Sequence, residues 1–235
     1  TEWAREFAMS PALFYKSARK VEVFSRVKYR KLGRTGFNTS AVGFGGAAIS
    51  GGGYGFGDID EPTAIRLVHA AIDAGINLFD TAPCYGLGVS EKRMGKAFRD
   101  RREKVFLVSK SGVTWGENKR IRKTNDPKVT RSMLEQSLCD LQTDYIDLYM
   151  IHWPDDYFPI SDAWQVLIDA KEAGKVRYLG LANSNAHDFS ICNAMHRVDV
   201  FQSNHNLFDG GAERDLQGIC QQHGVGFMGY GTLDK

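Results

Sequence analysis

Four polar side chains, Asp80, Tyr85, Lys110 and His152, each stand at or just past the end of a short apolar run. The runs are Asn77-Leu78-Phe79-Asp80-Thr81-Ala82-Pro83-Cys84-Tyr85, Val105-Phe106-Leu107-Val108-Ser109-Lys110 and Ile146-Asp147-Leu148-Tyr149-Met150-Ile151-His152-Trp153. A tyrosine is a proton donor whose ordinary pKa of about 10 is too high for easy exchange near neutrality. A lysine ammonium beside it favours the phenolate, a carboxylate holds that ammonium in place, and an imidazole can hydrogen-bond a carbonyl oxygen. Such a set is suited to protonating a carbonyl oxygen. It works only if the four groups share one rim, as happens where the strands of an α/β barrel run out into their following loops.

The rest of the chain supplies elements in the order such a rim requires. Ala41 to Gly45 reads as a first strand, and Pro62 to Ala74 as a helix with Ile65, Val68 and Ile72 on one face and Gly75 as its stop. Strands are expected near 77–80, 105–110, 146–151, 176–181, 199–203 and 225–229. Helices are expected near 90–99, from Asp126-Pro127 onward, and near 162–173, 187–195 and 212–223. Seven strand-helix repeats in this order imply a parallel sheet. Tyr29 to Leu32 and Thr39-Ser40, around Gly36-Phe37-Asn38, read as a hairpin ahead of them.

Asp80-Thr81-Ala82 with Tyr85, the strand ending in Lys110, and His152-Trp153-Pro154 together resemble the aldo-keto reductases, NAD(P)(H)-dependent enzymes on a (β/α)8 barrel. Thr143-Asp144-Tyr145-Ile146-Asp147-Leu148-Tyr149 looks closest to the branch holding general-stress-protein and aryl-alcohol reductases. The resemblance runs from about Tyr29 to the last residue. It implies reduction of aldehydes or ketones, with Tyr85 as general acid, Lys110 and Asp80 as its support and His152 orienting the substrate. It also implies NADPH as cofactor, with NADH not excluded, and a β-hairpin closing the barrel floor. By the same resemblance Gly45, Gly46 and Ala47 let backbone approach the cofactor beside Asp80. Asn183 and Gln202 would hold the nicotinamide amide, Tyr230 would stack on its ring, and Gly231 and Leu233 would border the pyrophosphate. Ala182 stands where the family has a serine, and Ser184 is the nearest hydroxyl able to replace it. Two other readings stay open: a regulatory cofactor-binding member like the channel β subunits, and an inactive truncated product.

Gly43-Phe44-Gly45-Gly46-Ala47-Ala48 formally matches a dinucleotide fingerprint. That motif acts only where a helix N-terminus begins at the glycines, and here a Gly-rich stretch to Gly57 comes first. Within it Tyr54 is a candidate pocket wall, as are Trp153 and, in a long segment read as loop from Ser111 to Asn125, Trp115. Lys119, Arg120, Arg122 and Lys123 in that loop are expected to be solvated.

With 30 Lys+Arg against 28 Asp+Glu and a net charge of +2, no strong field is available to recruit nucleic acid or an anionic membrane. A hydrophobic share of 43% over 235 residues suits one domain with a large core, and no apolar run approaches the roughly 20 residues of a membrane span. Cys84, Cys139, Cys192 and Cys220 are far apart in sequence and read as reduced thiols of a cytoplasmic protein. The histidines show no metal-ligand spacing, and no metal is expected. Residues 1–28 read as a flexible extension and 29–235 as a barrel domain lacking its eighth repeat, which points to a fragment of a longer protein.

Overall fold

A computed structural model describes residues 27–51 and 58–233. After a short antiparallel hairpin, β1 (Tyr29–Lys31) and β2 (Asn38–Ser40), the chain alternates strands and helices. In order these are β3 (Phe44–Gly45), α1 (Glu61–Asp73), β4 (Leu78–Asp80), α2 (Val89–Phe98) and β5 (Phe106–Ser111). A second hairpin, β6 (Val113–Trp115) and β7 (Ile121–Lys123), leads to α3 (Pro127–Asp140), β8 (Ile146–Ile151), α4 (Ile160–Glu172), β9 (Val176–Ala182) and α5 (Ala186–Met195). Then follow β10 (Val200–Asn204), α6 (Gly211–Asp215), α7 (Gln217–His223) and β11 (Gly226–Tyr230).

Seven of these strands form one parallel sheet in the order β11-β10-β9-β8-β5-β4-β3, a curled partial (β/α) barrel. The order follows the chain, as right-handed strand-helix-strand units require. Caps fix where helices begin: Asp60 accepts from Thr63 N at 2.7 Å ahead of Pro62, and Asp126 accepts from Lys128 N at 2.8 Å ahead of Pro127. Asn185 and Asp188 form a full capping box on α5.

Strand pleating sends alternate side chains to opposite faces. Leu107, Tyr149, Ile151, Leu179 and Phe201 join the large core beneath the helices, while Phe106, Val108, Leu148, Met150, Val200 and Met228 fill the concave side. The first hairpin closes the lower end of that concave side. Leu32 is buried there, Phe37 packs on Phe106 with ring centroids 4.8 Å apart, and the Tyr178 hydroxyl donates to the Thr35 carbonyl at 2.6 Å. Gly33 has φ of 54° and lies so close to Gly226 that a Cβ would fall 2.2 Å from the Gly226 nitrogen. Only glycine satisfies both demands.

Three sequence expectations need correction. The segment from Ser111 to Asn125, read as loop, contains the β6–β7 hairpin. The helix expected over 212–223 is two helices meeting at Leu216. The first strand, expected over 41–45, is reduced to Phe44 and Gly45, because β3 pairs only with β4 and residues 41–43 remain exposed. Among the described residues no helix is long and apolar enough to cross a membrane, and all four cysteines are free.

Candidate active site

The ends of β4, β5 and β8 bring the four chemical side chains together. Lys110, last but one in β5, points to the concave side and is fully buried. Its ammonium donates to Asp80 Oδ1 at 2.7 Å and to the Thr81 carbonyl at 2.9 Å. Tyr85 follows β4 on a turn, with the Lys110 Nζ 5.4 Å from its ring centroid. His152 follows β8 and meets the Tyr85 ring edge-on, centroids 5.9 Å apart.

Burial sets the protonation states. It pushes the Tyr85 phenol up to about 12, against the downward pull of the Lys110 ammonium. The sequence argument weighed only the cation; in the fold desolvation outweighs it, and the phenol keeps its proton at neutral pH. Burial also pulls the Lys110 ammonium down, but Asp80 and Tyr85 more than offset this and its pKa rises. Burial first and Lys110 second hold His152 well below the ordinary imidazole value, so the ring is neutral. The sequence left that choice open.

A second group of side chains continues the rim across β9, β10 and β11. Asn183, with φ of 53°, donates through Nδ2 to the His152 carbonyl at 3.0 Å, and its Oδ1 accepts from the Tyr230 hydroxyl at 2.6 Å. Gln202 lies beside Ala182 in register and is buried, yet its side-chain amide makes no hydrogen bond to a described residue. A side-chain amide that no described residue engages fits a ligand that carries an amide of its own. Gly45 is exposed, with open space where a Cβ would stand. The donor set and the open backbone therefore suit a nicotinamide. Gly46 has a different reason to be glycine, since a Cβ there would fall 2.5 Å from Ser90 Oγ. Ala47 is half-buried. Ser184, the candidate substitute for the missing hydroxyl, donates to the Ala182 carbonyl at 3.1 Å. The Gly231 carbonyl accepts from Asn206 Nδ2 at 3.1 Å, and Leu233 is exposed.

Trp153 packs with Tyr85 against Ala82, Cys84 and Val113. The Lys123 ammonium lies 4.3 Å from the Trp153 ring centroid, a cation–π contact that ties the β6–β7 hairpin to the rim. Trp115 is carried on that hairpin and is exposed. Tyr54 lies outside the described residues. Sequence reasoning missed two residues near the chemistry. Cys84 Sγ lies 3.9 Å from His152 Nδ1, and burial pushes its thiol up to about 11. Glu91 is fully buried behind β5. Adjacency to Tyr85 was the signal for Cys84, whereas the sequence around Glu91 carries no local sign of its burial. No three His, Cys, Asp or Glu side chains among the described residues converge as metal ligands.

Comparison with known proteins shows the family. The sequence profile of the aldo/keto reductase family matches residues 41–235, and the chain belongs to that family. It is 36% identical over 209 residues to the aldo-keto reductase YhdN of Bacillus subtilis, covering 88% of this chain and 62% of that protein. It is 33% identical over 217 residues to an NADH-specific methylglyoxal reductase of Escherichia coli, covering 87% and 67% of the two chains. The fold superposes on a glycerol dehydrogenase from Gluconobacter oxydans with a TM-score of 0.79 at 31% identity, covering 89% of this chain and 64% of that one. The chain thus spans roughly two thirds or less of the length of these relatives.

Proposed function

We propose that this chain carries the catalytic rim of an NAD(P)H-dependent oxidoreductase that reduces aldehydes or ketones to alcohols, with Tyr85 as general acid. The observation that carries the reading is the ion pair of a fully buried Lys110 with a half-buried Asp80, beside a protonated Tyr85 and a neutral His152. When bound, the reduced nicotinamide supplies the hydride. Tyr85 delivers the proton to the carbonyl oxygen, and the Lys110 ammonium stabilises the phenolate left behind. His152 orients the substrate. A Cys84 thiol donating to its Nδ1 would fix the tautomer with the proton on Nε2, which makes the ring a donor toward the carbonyl oxygen.

On this reading Asn183, Gln202 and Tyr230 hold the cofactor amide and ring, Gly45, Gly46 and Ala47 form its near wall, and Gly231 and Leu233 border the pyrophosphate. Trp153 and Trp115 bound the substrate pocket. The residues 29–235 act as one barrel domain, and the free thiols suit a reducing, cytoplasmic setting.

NADPH is the first cofactor to test and NADH the second, since one relative is described as NADH-specific. That protein's methylglyoxal heads the panel of aldehydes and ketones. Reduction is followed by loss of nicotinamide absorbance. Tyr85→Phe keeps the ring and removes the transferable proton, so kcat should fall roughly 10²–10⁴-fold while cofactor affinity changes little. Retention of more than about half the wild-type kcat would remove Tyr85 from the acid role.

A further inference from the structure

We propose that Glu91 is a positioning residue for Lys110, acting through its hydrogen bond to Ser109 on the strand that carries the lysine and through the charge it places behind that strand. The proposal rests on the carbonyl-reductase reading above. Glu91 enters from the first turn of α2 on the helix side of β5. Pleating turns Lys110 to the concave side and its neighbours Ser109 and Ser111 to the helix side. Ser109 Oγ donates to Glu91 Oε1 at 2.6 Å, so the carboxyl is fastened one residue from the catalytic cation.

The other oxygen, Glu91 Oε2, is buried without a hydrogen-bond partner, as are the hydroxyls of Ser111, Ser137 on α3 and Tyr149 on β8. A permanently ionised carboxylate would be costly in such a place. Burial accordingly lifts Glu91 to about 7, against the downward pull of the Ser109 hydroxyl. The charged and titratable groups that face it are Asp140 on α3 and Lys110 on β5, with Tyr149 on β8 and Cys84 on the loop after β4 feeling its charge. Lys92 sits 4.0 Å from Asp140 and Glu135 acts on Tyr149 from α3. None of these gives the Glu91 carboxyl an ion pair within bonding distance among the described residues.

The sign of the effect follows. A neutral Glu91 leaves the Lys110 field on Tyr85 intact, whereas an ionised Glu91 partly cancels it and weakens Tyr85 as an acid. Reduction should therefore slow as pH rises through the Glu91 ionisation. On the whole protein, wild-type reductive kcat is expected to fall roughly three- to tenfold across neutrality. Glu91→Gln keeps the acceptor for Ser109 but cannot ionise, so the low-pH rate should persist across the same range. Ser109→Ala removes a bond that favours the ionised form, so the falling limb should move to higher pH without vanishing. A merely structural Glu91 would change the rate and leave the profile's shape alone.

An activity-independent measurement accompanies these. The infrared carbonyl band of a protonated buried carboxylic acid, recorded on the protein without cofactor, should titrate near neutrality and be absent in Glu91→Gln. Superimposable pH profiles for wild type and Glu91→Gln overturn the proposal, and so does an acid band that Glu91→Gln leaves in place. Turnover absent with every carbonyl while the acid band titrates as expected overturns the functional reading and, with it, the positioning role.

Discussion

The two ends of the same seven strands handle buried charge in opposite ways. At the starts of β8 and β10 two carboxylates are buried and saturated. Asp147 accepts from Leu107 N at 3.0 Å, from Arg102 at 2.8 Å and from Arg177 at 2.9 Å, and those two guanidiniums lie 4.0 and 3.9 Å from the Tyr145 ring centroid. Asp199 accepts from Leu179 N at 3.0 Å, from Lys171 at 3.4 Å and from Arg197. At the other end Lys110 has one carboxylate, His152 is buried neutral, Tyr85 is held protonated and Glu91 has a bare oxygen. Saturated charges fix a fold, because no further partner can improve them. Incompletely satisfied ones keep protonation states that a substrate or a change of pH can shift. The division follows the general rule that barrel strands begin in stability and end in chemistry.

That contrast predicts separable mutant phenotypes. The largest effect belongs to Lys110→Met, which removes the cation proposed to stabilise the Tyr85 phenolate. The rate should fall by about two orders of magnitude or more, with a smaller shift in unfolding midpoint than the substitution below. Steady-state kinetics beside a denaturant titration would show it, and a rate loss explained wholly by unfolding would break the comparison.

Asp147→Asn should do the reverse. It leaves Arg102 and Arg177 facing a neutral amide and should cost about 2–4 kcal/mol of stability while kcat per folded molecule stays near wild type. If it slows turnover as Lys110→Met does, the two ends are not independent. The smallest expected effect is Tyr178→Phe, which deletes the bond to the Thr35 carbonyl that fastens the hairpin to the floor. It should cost about 1 kcal/mol, read as a small shift in midpoint with unchanged kinetics, and would sharpen how much of the floor's rigidity the hairpin supplies.

Much of this was legible in the sequence because it is periodic or terminal. The apolar runs ending in Asp80, Lys110 and His152 announced both the strands and the rim, and Asp126-Pro127 and Gly75 marked helix boundaries that the structure shares. The β6–β7 hairpin had a signal too, since Val113-Thr114-Trp115 and Ile121 flank a Gly116-to-Asn118 turn, but the strands are only three residues each and the whole segment read as loop. Other features had no local signal. Glu91 is buried where the fold brings it against Ser109 of β5, and the neutral state of His152 depends on its desolvation in the folded chain. The break at Leu216 separates two short helices that share one apolar pattern, which periodicity alone reads as continuous.

Asn183 has a consequence for any ligand that would use its amide. Both ends are already engaged, one on the His152 carbonyl and one on the Tyr230 hydroxyl. Its rotamer entropy has been surrendered before a ligand arrives, so an incoming amide meets an oriented partner rather than a mobile one. Capacity remains on both sides, because Oδ1 keeps a second lone pair and Nδ2 a second hydrogen, so a ligand can be taken without breaking either bond. The ends of β8, β9 and β11 are thereby tied through one side chain, and whatever tilts the Asn183 amide is felt at His152 and at Tyr230 together.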